Sequence, residues 1–404
     1  MGRVLFSKRL DNIEPSAVRV ILRVIGKSNI ISFAGGLPDS ALFPAEEVKR
    51  ACEKVLEESA YRALQYSVTE GVEELREELY RFMVRRGVLP GHPRDDEEIL
   101  VTSGSQEALF LITHVLIDPG DIVVTERPTY LAMLQILYDH YAEIVDIDLD
   151  PNGLDTYKLE EVVRSLQREN KKPKFVYVVP TCQNPTGITM SMDRRKHLLE
   201  IAETYDILIL EDDPYSYYLY EPIDVKPLKY LDSSGKVLYV STFSKILAPG
   251  LRIGWVVGPG EIIQEVAKAK QVLNLQSPTF TQFVVTNLLR EQVVDRRLPL
   301  LAEHYRKKRD AMLNALETYV GDLADWVNPV GGMFVWVKLR RNIDTMNMLQ
   351  LAVEKYGVAY VPGAPFYPSR PEVNTMRLNF TYPSVDMIET GIRKLAELIR
   401  ELST

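Results

Sequence analysis

The chain has 404 residues, 46% of them apolar and 26% charged, with a formal charge of −8 at pH 7. That length allows two domains or one large elaborated one with a sizeable core, and the absence of a low-complexity tract argues against disorder. The acidic balance argues against a nucleic-acid binder, whose affinity would come from clustered Lys and Arg, and no apolar run approaches a membrane span. Cys52 and Cys182 are the only cysteines, so no disulfide framework is implied and a reducing cytoplasm is expected. The N-terminus lacks the long apolar core of a signal peptide.

In chain order, apolar runs alternate with helical patterns from about residue 99 to 257. Strands are expected at Ile99–Thr102, Asp121–Thr125, Glu143–Asp148, Phe175–Val179, Ile207–Leu210, Val237–Val240 and Gly254–Val257. Amphipathic stretches such as Leu159–Arg168 and Arg194–Tyr205 lie between several of them. This pattern predicts an α/β fold with a mostly parallel sheet covered by helices. Gly258-Pro259-Gly260 reads as an ordinary turn, and Arg306-Lys307-Lys308-Arg309 as the solvated face of a helix. From roughly 300 onward a second region has strand-like pieces at Gly332–Leu339, Val358–Val361 and Thr375–Phe380, closed by a helix over Met387–Leu402. The five histidines show no paired metal-ligand spacing, and no metal is expected. Cys182 reads as a packed thiol.

Several motifs carry chemistry. Ser103-Gly104-Ser105-Gln106 follows the Ile99–Thr102 strand and opens a helical run. Free N–H groups and the positive dipole end there suit a phosphate, with a plain N-cap by Ser103 or Ser105 as the alternative. Ser241-Thr242-Phe243-Ser244-Lys245, with Arg252 seven residues on, closes the Val237–Val240 strand. Its hydroxyls and the planar cation suit the same phosphate, and the lysine suits an amine nucleophile. Together they suggest a Schiff-base lysine for pyridoxal phosphate. Asn184 and Asp212 also follow predicted strands, at the end where ligands bind in such sheets.

The order Asn184, Asp212, Tyr215, Lys245, Arg252 resembles the fold-type I aminotransferases. Ile31-Ser32-Phe33-Ala34-Gly35-Gly36-Leu37-Pro38 and Leu64-Gln65-Tyr66-Ser67 bring it nearest to the kynurenine/2-aminoadipate group. The resemblance implies a large cofactor domain over 46–299 and a smaller α+β domain built from 1–45 and 300–404. It implies that Lys245 holds the cofactor and shuttles a proton, and that Asp212 faces the pyridine nitrogen. Asp213 competes for that role, but the spacing to Tyr215 selects Asp212. Tyr215 and Asn184 would donate to the phenolic oxygen, and Tyr130 would stack on the ring. Ser105, Gln106, Thr242, Ser244 and Arg252 would hold the phosphate. Arg377 would clamp the substrate α-carboxylate, aided by the backbone of Gly36. The implied reaction moves an amino group from an L-amino acid (2-aminoadipate, aromatic, branched-chain or other) to a 2-oxo acid, with 2-oxoglutarate/glutamate as the favoured pair. The implied assembly is a homodimer in which Tyr66 reaches the neighbouring subunit's phosphate. Arg19, with Arg23 one turn on as its competitor, is the expected selector for acidic side chains. A lyase or decarboxylase on the same fold is the rival reading. A winged-helix regulator would need a DNA-binding domain ahead of Ile31, where only some thirty residues stand.

Overall fold

The apolar runs between 97 and 259 become strands of one eight-stranded sheet. They are β1 (Glu97–Thr102), β2 (Ile122–Arg127), β3 (Glu143–Asp150), β4 (Gly153–Leu154), β5 (Phe175–Val178), β6 (Leu208–Asp212), β7 (Val237–Thr242) and β8 (Gly254–Pro259). The spatial order is β1-β8-β7-β6-β5-β2-β3-β4. Neighbours from β7 to β3 pair in parallel, while β8 runs antiparallel to both β7 and β1. Two antiparallel steps return β1 to the direction of β7, so their carboxyl ends lie on one edge. The computed structural model describes residue 7, residues 30–91 and residues 96–403.

Every residue of β7 is buried, as expected for a strand covered on both faces. The crossover helices begin where side chains replace missing backbone partners. Asp155 accepts from Tyr157 and Lys158 N–H to start the helix Thr156–Arg168. Ser191 accepts from Arg194 N–H to start Met192–Tyr205. Helix α1 (Ser105–Leu116) differs, because no side chain caps it. The strand β8 runs through Pro259, and α2 (Gly260–Asn274) begins at the next residue. Gly258-Pro259-Gly260 is therefore a strand–helix junction rather than a free turn.

A second sheet has four strands: β9 (Ala324–Trp326), β10 (Phe334–Leu339), β11 (Val361–Pro362) and β12 (Thr375–Asn379). They are ordered β9-β10-β12-β11 and are antiparallel throughout. The single strand expected at Val358–Val361 is two. Val358–Ala359 pairs in parallel with Ile31–Ser32, and Val361 starts β11 in the other sheet. Tyr360 separates them, fully buried, with its hydroxyl donating to Thr345 O at 2.7 Å. Backbone bonds from Phe33 N to Ala359 O and from Asn379 N to Phe33 O, each 2.8 Å, fix the N-terminal segment against this sheet.

The long helix α3 (Val293–Val320) corrects the reading of the basic cluster. Arg306 and Lys307 are exposed, but Lys308 and Arg309 are buried. Four consecutive helical residues span more than one turn, so they cannot share one face. Lys308 Nζ donates to Asp39 Oδ2 at 2.6 Å and to Thr381 O at 2.9 Å. Arg309 donates to Pro329 O and to Glu221. The Asp39 carboxylate also meets His304 Nε2 at 3.1 Å. This partly buried knot anchors the chain just after Gly36-Leu37-Pro38.

Candidate active site

The carboxyl ends of β1, β7, β6, β5 and β2 and the amino end of β8 share one sheet edge. Ser103-Gly104-Ser105 follows β1, and Lys245 follows β7 by three residues. Asp212 is the last residue of β6, while Tyr130 and Asn184 follow β2 and β5. Arg252 precedes β8. Arg377 comes from β12 of the second sheet, and its Nη1 donates to Asn184 Oδ1 at 2.8 Å. One cleft thus collects groups spread over more than 270 residues of chain.

At one end lies an anion cradle. Gly104 is the N-cap of α1 at φ 90°, a left-handed conformation that favours glycine. A Cβ there would stand 2.6 Å from Arg252 Nη2. One on Gly254 would stand 2.6 Å from the Gly104 carbonyl carbon. Arg252 itself is left-handed, at φ 52°, and its Nη2 donates to Ser103 O at 2.6 Å. Such an outlier is held by its surroundings. Thr242 Oγ1 lies 2.9 Å from Ser244 Oγ. Neither Ser103 nor Ser105 caps the helix, so the plain N-cap alternative fails; the Glu107 N–H turns back to Gly104 O at 3.2 Å, and those of Ser105 and Gln106 are left to meet an anion.

At the other end are a partly buried lysine and a buried aspartate. Lys245 Nζ donates to Gly36 O at 2.8 Å. Its pKa is pushed down to about 8, first by burial and then by the Arg377 and Arg252 cations. Asp212 is pushed up to about 7, first by burial, with Asp213 adding and the Tyr177 hydrogen bond and Lys245 opposing. Tyr177 Oη donates to Asp212 Oδ2 at 2.9 Å. The other oxygen, Oδ1, is buried and has no hydrogen-bond partner among the described residues. Asp213 is fully engaged instead, accepting from Ser216 N at 3.0 Å and from Ser216 and Tyr239 hydroxyls. A buried unpaired carboxylate oxygen is expensive, which marks Asp212 as the one awaiting a donor.

Arg377 is also buried, and burial lowers its pKa to about 10. Its Nη2 donates to Ala34 O at 3.1 Å, while Nε is buried without a partner among the described residues. The guanidinium lies 4.1 Å from the Phe334 ring centroid and 5.1 Å from that of Phe366, rings that orient a planar cation. Tyr215 is buried, its ring edge-on to Phe334 at 6.1 Å. Tyr130 reaches Gln106 Oε1 at 3.5 Å. Gly36 contributes its carbonyl here, as the acceptor of Lys245. Tyr66 is 77% exposed on its loop. Arg19 and Arg23 lie outside the described residues.

Sequence reasoning missed Tyr177, Phe334, Phe366 and the pair Glu126–Gln183. Tyr177 aligns across the sheet with Leu210, two residues before Asp212; a tyrosine within a valine-rich strand was its only signal. Gln183 Nε2 donates to Glu126 Oε2 at 3.1 Å and to Pro128 O at 2.9 Å, tying the Tyr130 turn to the Asn184 turn. Cys182 is buried, with its thiol pushed up to about 12 mainly by burial, as a packed thiol should be. His114 and His140 come within 3.4 Å despite their separation in sequence. Among the described residues no group of three or more His, Cys, Asp or Glu side chains could hold a metal ion. Among those residues no helix is long and apolar enough to cross a membrane.

The family model for aminotransferases of class I and II matches residues 28–395. The chain belongs to that family. It is 46% identical to aromatic-amino-acid aminotransferase 1 of Thermococcus litoralis, covering 98% of this chain and 94% of that one. Among solved structures it is similar to a kynurenine aminotransferase of Pyrococcus horikoshii in complex with PMP, KYN as substrates and KYA as products. The TM-score is 0.95 at 45% identity, covering 99% of this chain and 98% of the other. An α-aminoadipate aminotransferase of Thermus thermophilus, complexed with N-(5'-phosphopyridoxyl)-L-leucine, matches at TM-score 0.89 and 33% identity, covering 98% of each chain. The aminotransferase therefore has a fold-type I architecture of the kynurenine/2-aminoadipate group and uses pyridoxal phosphate. The residues present fit that cofactor, with an uncapped helix start for its phosphate and an unpaired buried carboxylate oxygen for its ring nitrogen.

Proposed function

We propose that this aminotransferase moves an amino group from an aromatic or 2-aminoadipate-like L-amino acid to 2-oxoglutarate by a ping-pong cycle, with Lys245 as its catalytic lysine. The observation that carries the catalytic assignment is the unpaired Asp212 Oδ1 on the same sheet edge as the Lys245 amine. The aromatic choice draws on the similarity to the Thermococcus and Pyrococcus enzymes, and the acidic choice on the Thermus enzyme. When bound, the cofactor supplies an electron sink that stabilises negative charge at the substrate Cα. Asp212 would pair with its ring nitrogen, and Tyr215 and Asn184 would donate to its phenolic oxygen. Arg377 occupies Asn184 Oδ1, which leaves the amide's N–H donors free for that task. Tyr130 would face the ring. Ser105, Gln106, Thr242, Ser244 and Arg252 would receive the phosphate. Lys245, with its pKa near 8, would move a proton to and from the substrate Cα. Mixing the holoenzyme with single amino acids, and following the cofactor's absorbance together with the released oxo acid, tests the whole assignment. Release of ammonia without an oxo-acid acceptor would replace it with a lyase.

Arg377 would clamp the substrate α-carboxylate, using the Nε that has no partner and an Nη released from Ala34 O. Arg377→Ala is expected to lower kcat/KM for every amino acid by about 100-fold or more, since charge-assisted hydrogen bonds contribute roughly 1.5–3 kcal/mol each. Steady-state kinetics over an acidic and an aromatic donor checks this; a loss confined to one class would assign Arg377 to the side chain instead.

Arg19 remains the proposed selector for acidic side chains. Arg19→Ala should lower kcat/KM for 2-aminoadipate or glutamate by about tenfold or more while sparing aromatic donors. An equal loss for both classes would remove Arg19 from that role, and the same result with Arg23→Ala alone would transfer it.

The assembly is proposed to be a cytoplasmic homodimer. Leu64, Tyr66 and Val68 are exposed, and so are Val272 and Leu275. Bonds from Ser67 N to Gln276 Oε1 at 2.5 Å and from Thr279 Oγ1 to Ser67 Oγ at 3.1 Å join the two loops. Exposed apolar residues on a loop joined to the C-terminal end of α2 suit a self-complementary interface. Sedimentation at assay concentration is expected to show a dimer; an active monomer would end the shared-site role of Tyr66. The division into a large domain over 46–299 and a small one from 1–45 with 300–404 belongs to the same reading. It is supported by the pairing of Ile31–Ser32 with Val358–Ala359.

A further inference from the structure

Lys270 is a fully buried cation that none of these roles uses. It lies near the end of α2, and its ammonium donates to Asn274 Oδ1 at 2.9 Å and to Glu107 Oε1 at 3.4 Å. Asn274 Nδ2 donates to the same Glu107 oxygen at 2.5 Å. The other oxygen, Oε2, accepts the backbone N–H of Ser103. Glu107 is the third residue of α1, and it reaches back over the helix start to Ser103, the residue before the N-cap Gly104, without capping the helix itself. Ser103 is thereby held from two sides, by Glu107 at its N–H and by Arg252 at its carbonyl.

That clamp poses an electrostatic problem. A carboxylate in the first turn suits a bare helix dipole, but it repels a phosphate dianion arriving at the same turn. The repulsion is stronger where water is excluded, and the Glu107 side chain is only 8% exposed.

We propose that Lys270 is a positioning residue for the cofactor phosphate: by neutralising Glu107 it lets that carboxylate clamp Ser103 without repelling the dianion. The proposal rests on the phosphate lying at the α1 start. It gives a use to a lysine in a site where burial pushes its pKa down and Glu107 opposes that shift.

The full-length enzyme, stripped of cofactor, is titrated with pyridoxal phosphate and with pyridoxal, which lacks the phosphate. Lys270→Met should raise Kd for pyridoxal phosphate at least about tenfold and leave Kd for pyridoxal unchanged. Adding Glu107→Gln to Lys270→Met should recover most of that loss, because the uncompensated carboxylate is gone. Equal losses for both ligands, or no recovery in the double variant, would overturn the proposal. Should Lys270→Met fail to fold, Lys270→Gln keeps a polar partner for Asn274 without the charge and carries the same expectation. Arg252→Ala serves as the control. A phosphate-specific loss there without one at Lys270 overturns this inference alone, whereas none in either overturns the cradle as well.

Discussion

Lys245→Ala is expected to lower kcat by at least about 10⁴-fold, the upper range for loss of one positioned proton carrier, while leaving the fold intact. The lysine contributes little to packing. It sits in the turn after β7, only partly buried, and its one hydrogen bond among the described residues runs to Gly36 O. Its value is chemical. A lysine at its ordinary pKa would be almost wholly protonated near neutrality, but burial beside Arg377 and Arg252 brings this one to about 8. A sizeable fraction of neutral amine is then present to act as nucleophile and base. Lys245→Arg separates charge from proton transfer, because a guanidinium stays protonated at any working pH. Both variants should be inactive, and both should melt close to wild type. Borohydride reduction of the wild-type holoenzyme, followed by peptide mapping, should place the pyridoxyl label on Lys245. A label on Lys229 or Lys236 would overturn the assignment. Lys229 is a poor candidate, since its ammonium is buried against Glu97, Asp232 and Val237 O.

The legibility of the site in the sequence follows from how each residue is placed. Asp212 and Lys245 end or directly follow apolar strands of a parallel sheet, so strand pattern alone puts them on one edge. The choice between Asp212 and Asp213 needed coordinates in addition to spacing. Successive strand residues point to opposite faces, and only the structure shows that Asp213 is saturated by Ser216 and Tyr239. Arg377 came from family position, because nothing in Asn374-Thr375-Met376-Arg377 says that β12 packs against the Asn184 turn. The pairing of Ile31–Ser32 with Val358–Ala359 spans most of the chain, and two-residue strands carry no periodicity to read. Lys308 and Arg309 failed for a related reason. Charge alone suggested a solvated face, whereas Asp39, some 270 residues earlier, supplies the buried partner.

Asp212→Asn is expected to move activity and stability in opposite directions. In its proposed role Asp212 would keep the cofactor's ring nitrogen protonated and so sustain electron withdrawal from the substrate Cα; without that carboxylate kcat should fall by about 10³-fold or more. The cofactor-free protein should become more stable. Burial, with Asp213 adding to it, raises the folded pKa of Asp212 from 3.8 to about 7. The folded state therefore holds its proton more tightly than the unfolded chain, and stability falls as pH rises from about 4 to about 7. Well above pH 7 the buried anion predominates, and Oδ1 has no partner among the described residues to offset its lost hydration. Asparagine carries no such charge. It retains an acceptor for Tyr177, though a weaker one, so the net gain should be about 1–3 kcal/mol above pH 7. The gain should vanish below about pH 4, where the aspartate is protonated in both states. Cofactor binding should reverse the sign if Asp212 faces the ring nitrogen as proposed, because that nitrogen would supply the missing donor to the carboxylate and serve asparagine less well. Thermal unfolding of both proteins, with and without pyridoxal phosphate, at pH 4 and pH 8 tests all four quadrants. A cofactor-free Asp212→Asn protein less stable than wild type at pH 8 would show that Asp212 is paired by some group other than the cofactor.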